Sequence, residues 1–255
     1  MMEHVLIFLL LALFSEILGT VGGFGSSLFF VPIAGYFMDF HSVLALTALF
    51  HLSSNLIKIG IFRKGFDKQL VLKVGIPAVV FVVIGAYLTR FVDTALLEIT
   101  LSIFLIVLSL TFLVFKHFEI RPNTTNAIGG GIFSGLLAGL LGTGGAIRGM
   151  TLATYNLDKA TFIATSAIID LGIDSGRSIS YFLNGYVDQE VLRLIPALIV
   201  VSLIGTYTGK KILDYISEQQ FRKIVLSLIL LTGLLTLLKS LDLDLFHITF
   251  SHHLS

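Results

Sequence analysis

The sequence predicts an all-α polytopic membrane protein that forms a single transmembrane domain over residues 1–255. Three features predict it: the composition, a series of apolar runs, and an internal repeat. Hydrophobic residues make up 55% of the chain and charged residues only 13%, and the mean hydropathy is +0.95. Soluble domains carry about 25% charged residues, so this chain needs lipid around most of its surface.

The apolar runs have the length and composition of spanning helices. Runs without a charged residue cover 99–115, 123–147, 194–209 and 224–238, and Glu16 alone interrupts a further run at 5–20. Each is close to the roughly 20 residues that a spanning helix needs. They lack the alternation of barrel strands, so we expect about 8–10 hydrophobic helical segments. The predicted helices cover 4–20, 26–38, 42–62, 70–90, 95–116, 127–142, 146–157, 160–183, 189–210 and 217–238.

The second half of the chain repeats the first. GTVGGFGSS from Gly19 and PAVVFVVIGAY up to Tyr87 are matched by GTGGAIRGM from Gly142 and PALIVVSLIGTY up to Tyr207. A duplicated hydrophobic half is typical of secondary transporters. The repeat predicts one half over 1–118 and a second over 127–240.

The distribution of basic residues predicts that the two halves have opposite orientations. The loop at 62–74 is basic, whereas the corresponding loop of the second half, at 184–194, has Arg193 as its one basic residue. The next pair of loops shows the reverse: Arg90 is the one basic residue in the loop of the first half, and the corresponding loop of the second half is basic. Cytoplasmic loops carry the excess of Lys and Arg, so the repeats are predicted to have inverted topology, with a substrate site near the midplane. The basic residues are Arg63, Lys64, Lys68 and Lys73 in the first half and Lys210, Lys211, Arg222 and Lys223 in the second.

Each half is predicted to open with a broken or re-entrant hairpin. The segments 26–38 and 146–157 are too short to cross about 30 Å of hydrocarbon at 1.5 Å per residue, and each follows a glycine cluster. Two helix N-termini meeting at the midplane would attract an anion; alternatively, the glycines only permit close helix packing. The candidate substrate-binding residues are Gly22, Gly23, Gly25, Ser26 and Ser27 in the first half, and Gly142, Thr143, Gly144, Gly145 and Arg148 in the second, with Thr151 also placed at the helix start.

Two predicted helices carry matched polar residues at i, i+4 and i+7, here called the polar stripe. Its members are His51, Asn55 and Lys58 in the first half and Asp170, Asp174 and Arg177 in the second. This spacing places each set on one helix face. A charge inside a bilayer costs about 2.5–3.5 kcal/mol, so the stripe must face protein or water.

Two interpretations of the stripe stay open. Asp170, Asp174 or His51 could couple transport to protons, or Asp174 and Arg177 could form an ion pair that only holds the bundle together. Glu16 is expected to face the same cavity or to lie near the lipid interface. Lys58 and Arg63 are expected near the cytoplasmic end of their helix, where such side chains snorkel or attract anions.

Several function classes are disfavoured by what the sequence lacks. A formal net charge of +1 gives no nucleic-acid footprint, and a chain with no cysteine has no thiolate metal site. GxSxG and HExxH motifs are missing as well. The sequence therefore predicts no cofactor. A passive anion channel remains the alternative to a carrier, and a polytopic membrane enzyme is less favoured.

The duplicated motifs resemble those of the TauE/SafE family of membrane permeases, often called sulfite exporters. The resemblance rests on the paired glycine-rich openings and the paired PAVVFVVIGAY and PALIVVSLIGTY segments, and it covers about 9–238. It implies a multi-pass protein of the cell (inner) membrane that moves sulfite, thiosulfate, a sulfonate or another small organic anion, and whose segments 22–27 and 142–148 line the permeation site. The second opening is one residue shorter and aligns Arg148 with Ser26, which suggests Arg148 as an anion ligand particular to this chain.

Overall fold

The regular structure of the chain, obtained as a computed structural model, is entirely helical among the residues that the structure describes. These are 2–23, 25–62, 65–114, 121–213, 215 and 218–241. The predicted all-α class is therefore confirmed. Arg63 and Lys64, on which the expected orientation partly rests, lie outside the described residues. The helices are α1 (Met2–Gly22), α2 (Ser27–Ala34), α3 (Phe40–Ile61), α4 (Lys68–Leu70), α5 (Ile76–Leu88), α6 (Thr94–Val114), α7 (Thr124–Leu141), α8 (Gly145–Ala153), α9 (Lys159–Leu183), α10 (Gln189–Leu213) and α11 (Glu218–Ser240).

A π-helical turn joins α4 to α5. The turn covers Val71–Gly75 and immediately precedes Pro77, near the N-terminus of α5. Proline has no N–H and its ring collides with the carbonyl one turn earlier, and a π turn is a usual way to accommodate such a break. The helix stays continuous over Lys68–Phe91.

Six helical segments of the described chain are long and apolar enough to cross a membrane. Helix α9, at 25 residues, is also long enough but carries the charged members of the polar stripe. The observed helices fit a multi-pass membrane protein. The six segments are Glu3–Gly22, Phe40–Ile61, Lys68–Phe91, Thr94–Thr111, Thr124–Leu141 and Gln189–Leu213.

The two short helices are shorter than the sequence predicts. Helix α2 has 8 residues and α8 has 9, which at 1.5 Å per residue corresponds to about 12–14 Å. Neither can cross a bilayer by itself. Both begin in the interior, where the polar residues described below are found.

The helices of the two sequence halves are interlaced. Helix α1 packs along α10, α7 packs along α5, and α3 crosses α9 at the centre, while α6 packs against α11. The first helix of each half thus lies against the other half. Apolar side chains fill the space between them, and one cluster around Phe30, Leu44, Phe50 and Leu101 contains residues from both halves, including Leu141.

Glycines make the closest of these helix contacts possible. Gly131, Gly135 and Gly139 share one face of α7 and lie against the backbone of the helix that contains α5. A Cβ atom on Gly135 would lie 2.7 Å from the Cα of Ala78, and one on Gly139 would lie 2.6 Å from the amide nitrogen of Ala86. Small residues of this kind let membrane helices approach with their backbones in contact.

Contacts between the halves close the bundle at both ends. At the end that carries the start of α3, Ser42 Oγ donates to Asp188 Oδ2 at 3.1 Å, and His41 stacks on Tyr186 with ring centroids 4.1 Å apart. At the opposite end, the amide of Asp67 donates to Thr165 Oγ1 at 3.0 Å. These contacts hold the two halves together near both ends of the bundle.

The glycine contact between α5 and α7 gives a stability prediction. We expect Gly135→Ala to lower the free energy of unfolding by about 1–3 kcal/mol, because the added methyl collides with the Ala78 backbone. The matched control is Gly129→Ala on the same helix, where nothing lies within 4 Å of the added Cβ. Since alanine favours helices over glycine by about 1 kcal/mol, this control should be neutral or stabilising. Thermal unfolding in detergent distinguishes the two, and equal midpoints would contradict the packing argument.

Candidate functional site

Three ion pairs lie inside the bundle among the described residues. Lys58 Nζ lies 2.9 Å from Glu16 Oε1, Arg177 Nη2 lies 2.7 Å from Asp174 Oδ1, and Arg148 binds Asp170 through Nη1. Helices α1, α3, α8 and α9 contribute these six side chains. All except the Asp170 carboxylate are almost fully buried.

Glu16 is the most heavily hydrogen-bonded of the three acids. It is fully buried, which settles its position in the interior and not at the lipid interface. Two of its donors, Ser54 and Lys58, come from α3, and Thr206 comes from α10 of the other half. Such a set of donors satisfies a buried carboxylate. The donors are Thr20 at 3.3 Å, Ser26 at 2.7 Å, Ser54 at 2.5 Å, Lys58 at 2.9 Å and Thr206 at 3.1 Å.

His51 connects the Glu16 network to α9. The one hydroxyl hydrogen of Ser26 goes to Glu16, so His51 Nε2 must donate to Ser26 Oγ at 2.8 Å. Its Nδ1 lies 3.5 Å from Arg177 Nη2, which can only donate. This pattern fits a neutral imidazole that carries its proton on Nε2.

Arg177 and Asp174 form a saturated pair. Nε and Nη2 of Arg177 both lie 2.7 Å from Asp174 Oδ1, and Nη1 donates to the carbonyl of Gly142 at 2.7 Å. Asn55 Nδ2 donates to Asp174 Oδ2 at 2.6 Å. Asn55 and Asp174 are the matched members of the stripe, and they meet directly at the centre of the bundle. Of the two interpretations of the stripe, this geometry favours a holding role for Asp174 and Arg177.

Arg148 is bound less completely. It is the fourth residue of α8 and is only 2% exposed. Its Nε donates to Ser166 Oγ at 3.1 Å and its Nη1 to Asp170, while Nη2 has no hydrogen-bond partner among the described residues. The Asp170 side chain is 16% exposed. Arg148 therefore keeps donor capacity inside the protein.

The two glycine-rich openings contact each other. Ser27 Oγ, at the first residue of α2, donates to Thr143 Oγ1 just before α8 at 3.1 Å. Gly25 and Gly142 have φ values of +84° and +73°, a conformation that glycine adopts without strain. These residues bring the N-termini of α2 and α8 together in the interior.

Two small cavities border Asp170, and Arg148 lines the second of them. One, of about 20 Å³, is lined by Gly23, Lys58, Ser166 and Asp170 among others. The other, of about 10 Å³, has a lining that includes Gly25, Ser27, His51, Gly144, Arg148 and Asp170. Each has room for about one water molecule, so the polar groups of the site are packed tightly together.

Three sequence-based expectations need correction. Lys58 lies in the interior beside Glu16 instead of snorkelling at a helix end, and Arg63 lies outside the described residues. Thr151 is not at the start of α8: it is in the second turn, where its hydroxyl donates to the carbonyl of Ile147 at 2.8 Å. Ser26 precedes the first residue of α2 whereas Arg148 is well inside α8, so they do not occupy equivalent positions.

Sequence reasoning also missed several hydroxyl partners. Ser54, Ser166 and Thr206 bind the charged groups of the interior. Ser166 could have been found, because it precedes Asp170 by four residues and extends the same helix face. The contact between Thr206 and Glu16 joins residues 190 positions apart, and no local spacing predicts it.

Comparison with known proteins agrees with a multi-pass membrane protein. The chain is 27% identical over 246 residues to a probable membrane transporter protein from Methanocaldococcus jannaschii, covering 87% of this chain and 91% of the relative. No solved structure matches significantly. Residues 8–236 match the protein family described as "Sulfite exporter TauE/SafE". The chain therefore belongs to the sulfite exporter TauE/SafE family of multi-pass membrane proteins.

Proposed function

We propose that this protein is a permease that moves a small anion by alternating access between two inverted halves. The substrates that we favour are sulfite, thiosulfate, a sulfonate or another small organic anion. The family and the relative's description as a probable membrane transporter support transport in general. The observation that carries the choice of an anion is the buried Arg148 guanidinium with its unpartnered Nη2 beside a small cavity.

The surroundings of Arg148 suit a sulfur oxyanion. A guanidinium presents N–H groups in a planar fork that matches the oxygens of carboxylates and similar oxyanions. The N-termini of α2 and α8 meet at the same place and add partial positive charge and free N–H groups. Ser27 and Thr143 supply hydroxyls in the linkers. Gly25 and Gly144 leave the backbone accessible beside Arg148, since both line its cavity.

The packing supports alternating access. Both ends of the bundle are closed by contacts between the halves, and the central cavities hold little more than a water molecule. Cavities of this size are too small for an anion such as sulfite, so the bundle must rearrange before an anion can bind. The matched Asn55–Asp174 contact at the centre and the interlaced helices are what two related halves with inverted orientation would produce.

A passive anion channel is the alternative from another class. The small size of the cavities around the polar site favours a carrier, because the described residues outline no continuous path wide enough for an anion. Single-channel currents across a planar bilayer would identify a channel, whereas a carrier gives saturable flux without them. Membership of this family disfavours an enzyme. Formation of a product by the purified protein would be the evidence for an enzyme.

The first prediction for this function concerns Arg148. We expect Arg148→Gln to lower the uptake of radiolabelled sulfite, thiosulfate or sulfonate into proteoliposomes by about 10- to 100-fold, because one charge-assisted hydrogen bond contributes about 1.5–3 kcal/mol. The matched control is Arg193→Gln, which removes an exposed arginine and should leave uptake unchanged.

The Arg148 variant leaves Asp170 buried without its partner, which could impair folding. The double variant Arg148→Gln/Asp170→Asn removes both charges together and avoids this cost. Uptake should stay low in the double variant as well. Normal uptake by a folded double variant would show that Arg148 is not the anion ligand.

The second prediction concerns the closure at the Asp188 end of the bundle. The natural chain has no cysteine, so Ser42→Cys/Asp188→Cys introduces a single pair at a 3.1 Å contact. We expect oxidation of this pair to stop anion uptake and reduction to restore it, because alternating access must break this contact. Ser42→Cys alone is the control. Uptake that continues after complete cross-linking, verified by mass spectrometry, would contradict the proposed movement.

A further inference from the structure

We infer that binding of a monovalent anion at Arg148 is accompanied by the uptake of one proton on Asp170, so that the transported pair is electrically neutral. This inference rests on the proposed anion site and adds the identity of the second transported species. It follows from the charge balance of the interior and from the position of Asp170 within it.

The charges inside the bundle balance before any anion arrives. Among the described residues, three bases face three acids in the interior, and the hydrogen bonds of His51 fit a neutral ring. An added anion would leave this buried cluster with one uncompensated negative charge. An unpaired charge in such surroundings costs several kcal/mol, so a positive charge must enter with the anion.

Asp170 is the acid that must share its partner when the anion binds. Its hydrogen bond among the described residues comes from Arg148, the group that the anion would engage. Glu16 is held by five donors and Asp174 by the Arg177 fork and Asn55. An anion on the free Nη2 of Arg148 would share one guanidinium charge with Asp170, which has no second basic hydrogen-bond partner among the described residues. Protonation of Asp170 removes the excess negative charge.

A proton can reach Asp170 from the cavities. The carboxylate lines both of them and is 16% exposed, more than the other two acids of the cluster. The charged and titratable groups that surround it are Arg148 from α8, Lys58 and His51 from α3, and Asp174 and Arg177 from α9 itself. His51 is a poorer proton acceptor in this place, because its free nitrogen faces the Arg177 guanidinium.

A metal cation fits the interior less well than a proton. Monovalent and divalent metal ions require several oxygen ligands, whereas each acid of the cluster already binds a basic side chain. The described residues contain no group of three or more His, Asp or Glu side chains that could hold a metal ion. The proton needs only one carboxylate oxygen.

Proton uptake on anion binding tests the inference directly. Methanesulfonate is the probe, because it is monovalent and stays ionised across the pH range. With the full chain in lipid nanodiscs and weak buffer, a pH-sensitive dye should report about one proton taken up per anion bound. Affinity should fall about tenfold per pH unit above the pH at which Asp170 titrates, because the bound state requires its protonated form.

Asp170→Asn provides the decisive variant, since the amide resembles the neutral carboxylic acid. We expect it to bind methanesulfonate with no proton uptake and no dependence on pH. In proteoliposomes, an acidic exterior should drive accumulation by the wild type and not by this variant. Glu98→Gln is the control: this carboxylate pairs with Lys239 at 3.7 Å, away from the site, and its removal should leave proton uptake unchanged.

The results that would contradict this inference can be distinguished from those that would contradict the proposed function. Anion binding by the wild type without proton uptake, or accumulation driven by a sodium gradient alone, would overturn the inference and leave the anion permease intact. Proton uptake that persists in Asp170→Asn would overturn the assignment to Asp170. No binding of methanesulfonate, sulfite or thiosulfate by the wild type or by Asp170→Asn would overturn the proposed function and the inference together. The wild-type stoichiometry holds as a test even if a variant fails to fold.

Discussion

The structure depends on keeping charge neutral in a place where water is scarce. A chain with so few charged residues nevertheless buries three bases and three acids at its centre. Removing an ion from water costs several kcal/mol even after relaxation, so each base needs an acid within contact distance. Helices α1, α3, α8 and α9 must therefore meet at one depth. This requirement fixes the register between α3 and α9, where Asn55 contacts Asp174.

The glycines serve the same centre in two ways. On α7 they allow its backbone to touch the helix that contains α5, and Gly144 lies against the carbonyl of Ser134 on α7. At Gly25 and Gly142 they turn the chain through the left-handed region of φ, so that α2 and α8 start inside the protein. Short helices that begin in the interior direct their positive ends toward Arg148 and its cavity. The helix N-termini and the Arg148 side chain thus create one region of positive potential within a cluster whose charges balance.

Most of the fold could be predicted from the sequence, because apolar runs and glycine clusters are local signals. The helix type and approximate limits of the segments follow from them. The repeat matched Asn55 with Asp174 as equivalent positions of the two halves, but their direct contact was not predicted. The pairing of charges could not be predicted in the same way. The polar stripe matched Lys58 with Arg177 as equivalent positions of the two halves, but the ion-pair partner of Lys58 is Glu16, on a different helix. Hydroxyl donors such as Thr206 are brought in by tertiary packing alone.

The interlaced packing determines which parts of the bundle can move as rigid bodies. Helix α7 is locked to α5 by backbone contact, and α1 lies along α10 with Gly205 and Gly209 facing Glu16 and Thr20. Each of these two helix pairs therefore combines the first helix of one sequence half with a long helix of the other half. If access alternates between the two inverted halves as proposed, the motion must carry α1 with α10 and α7 with α5. Its hinges must lie within each half, at the glycine-rich turns after α1 and α7, so the same few residues that border the cavity would also bend during transport.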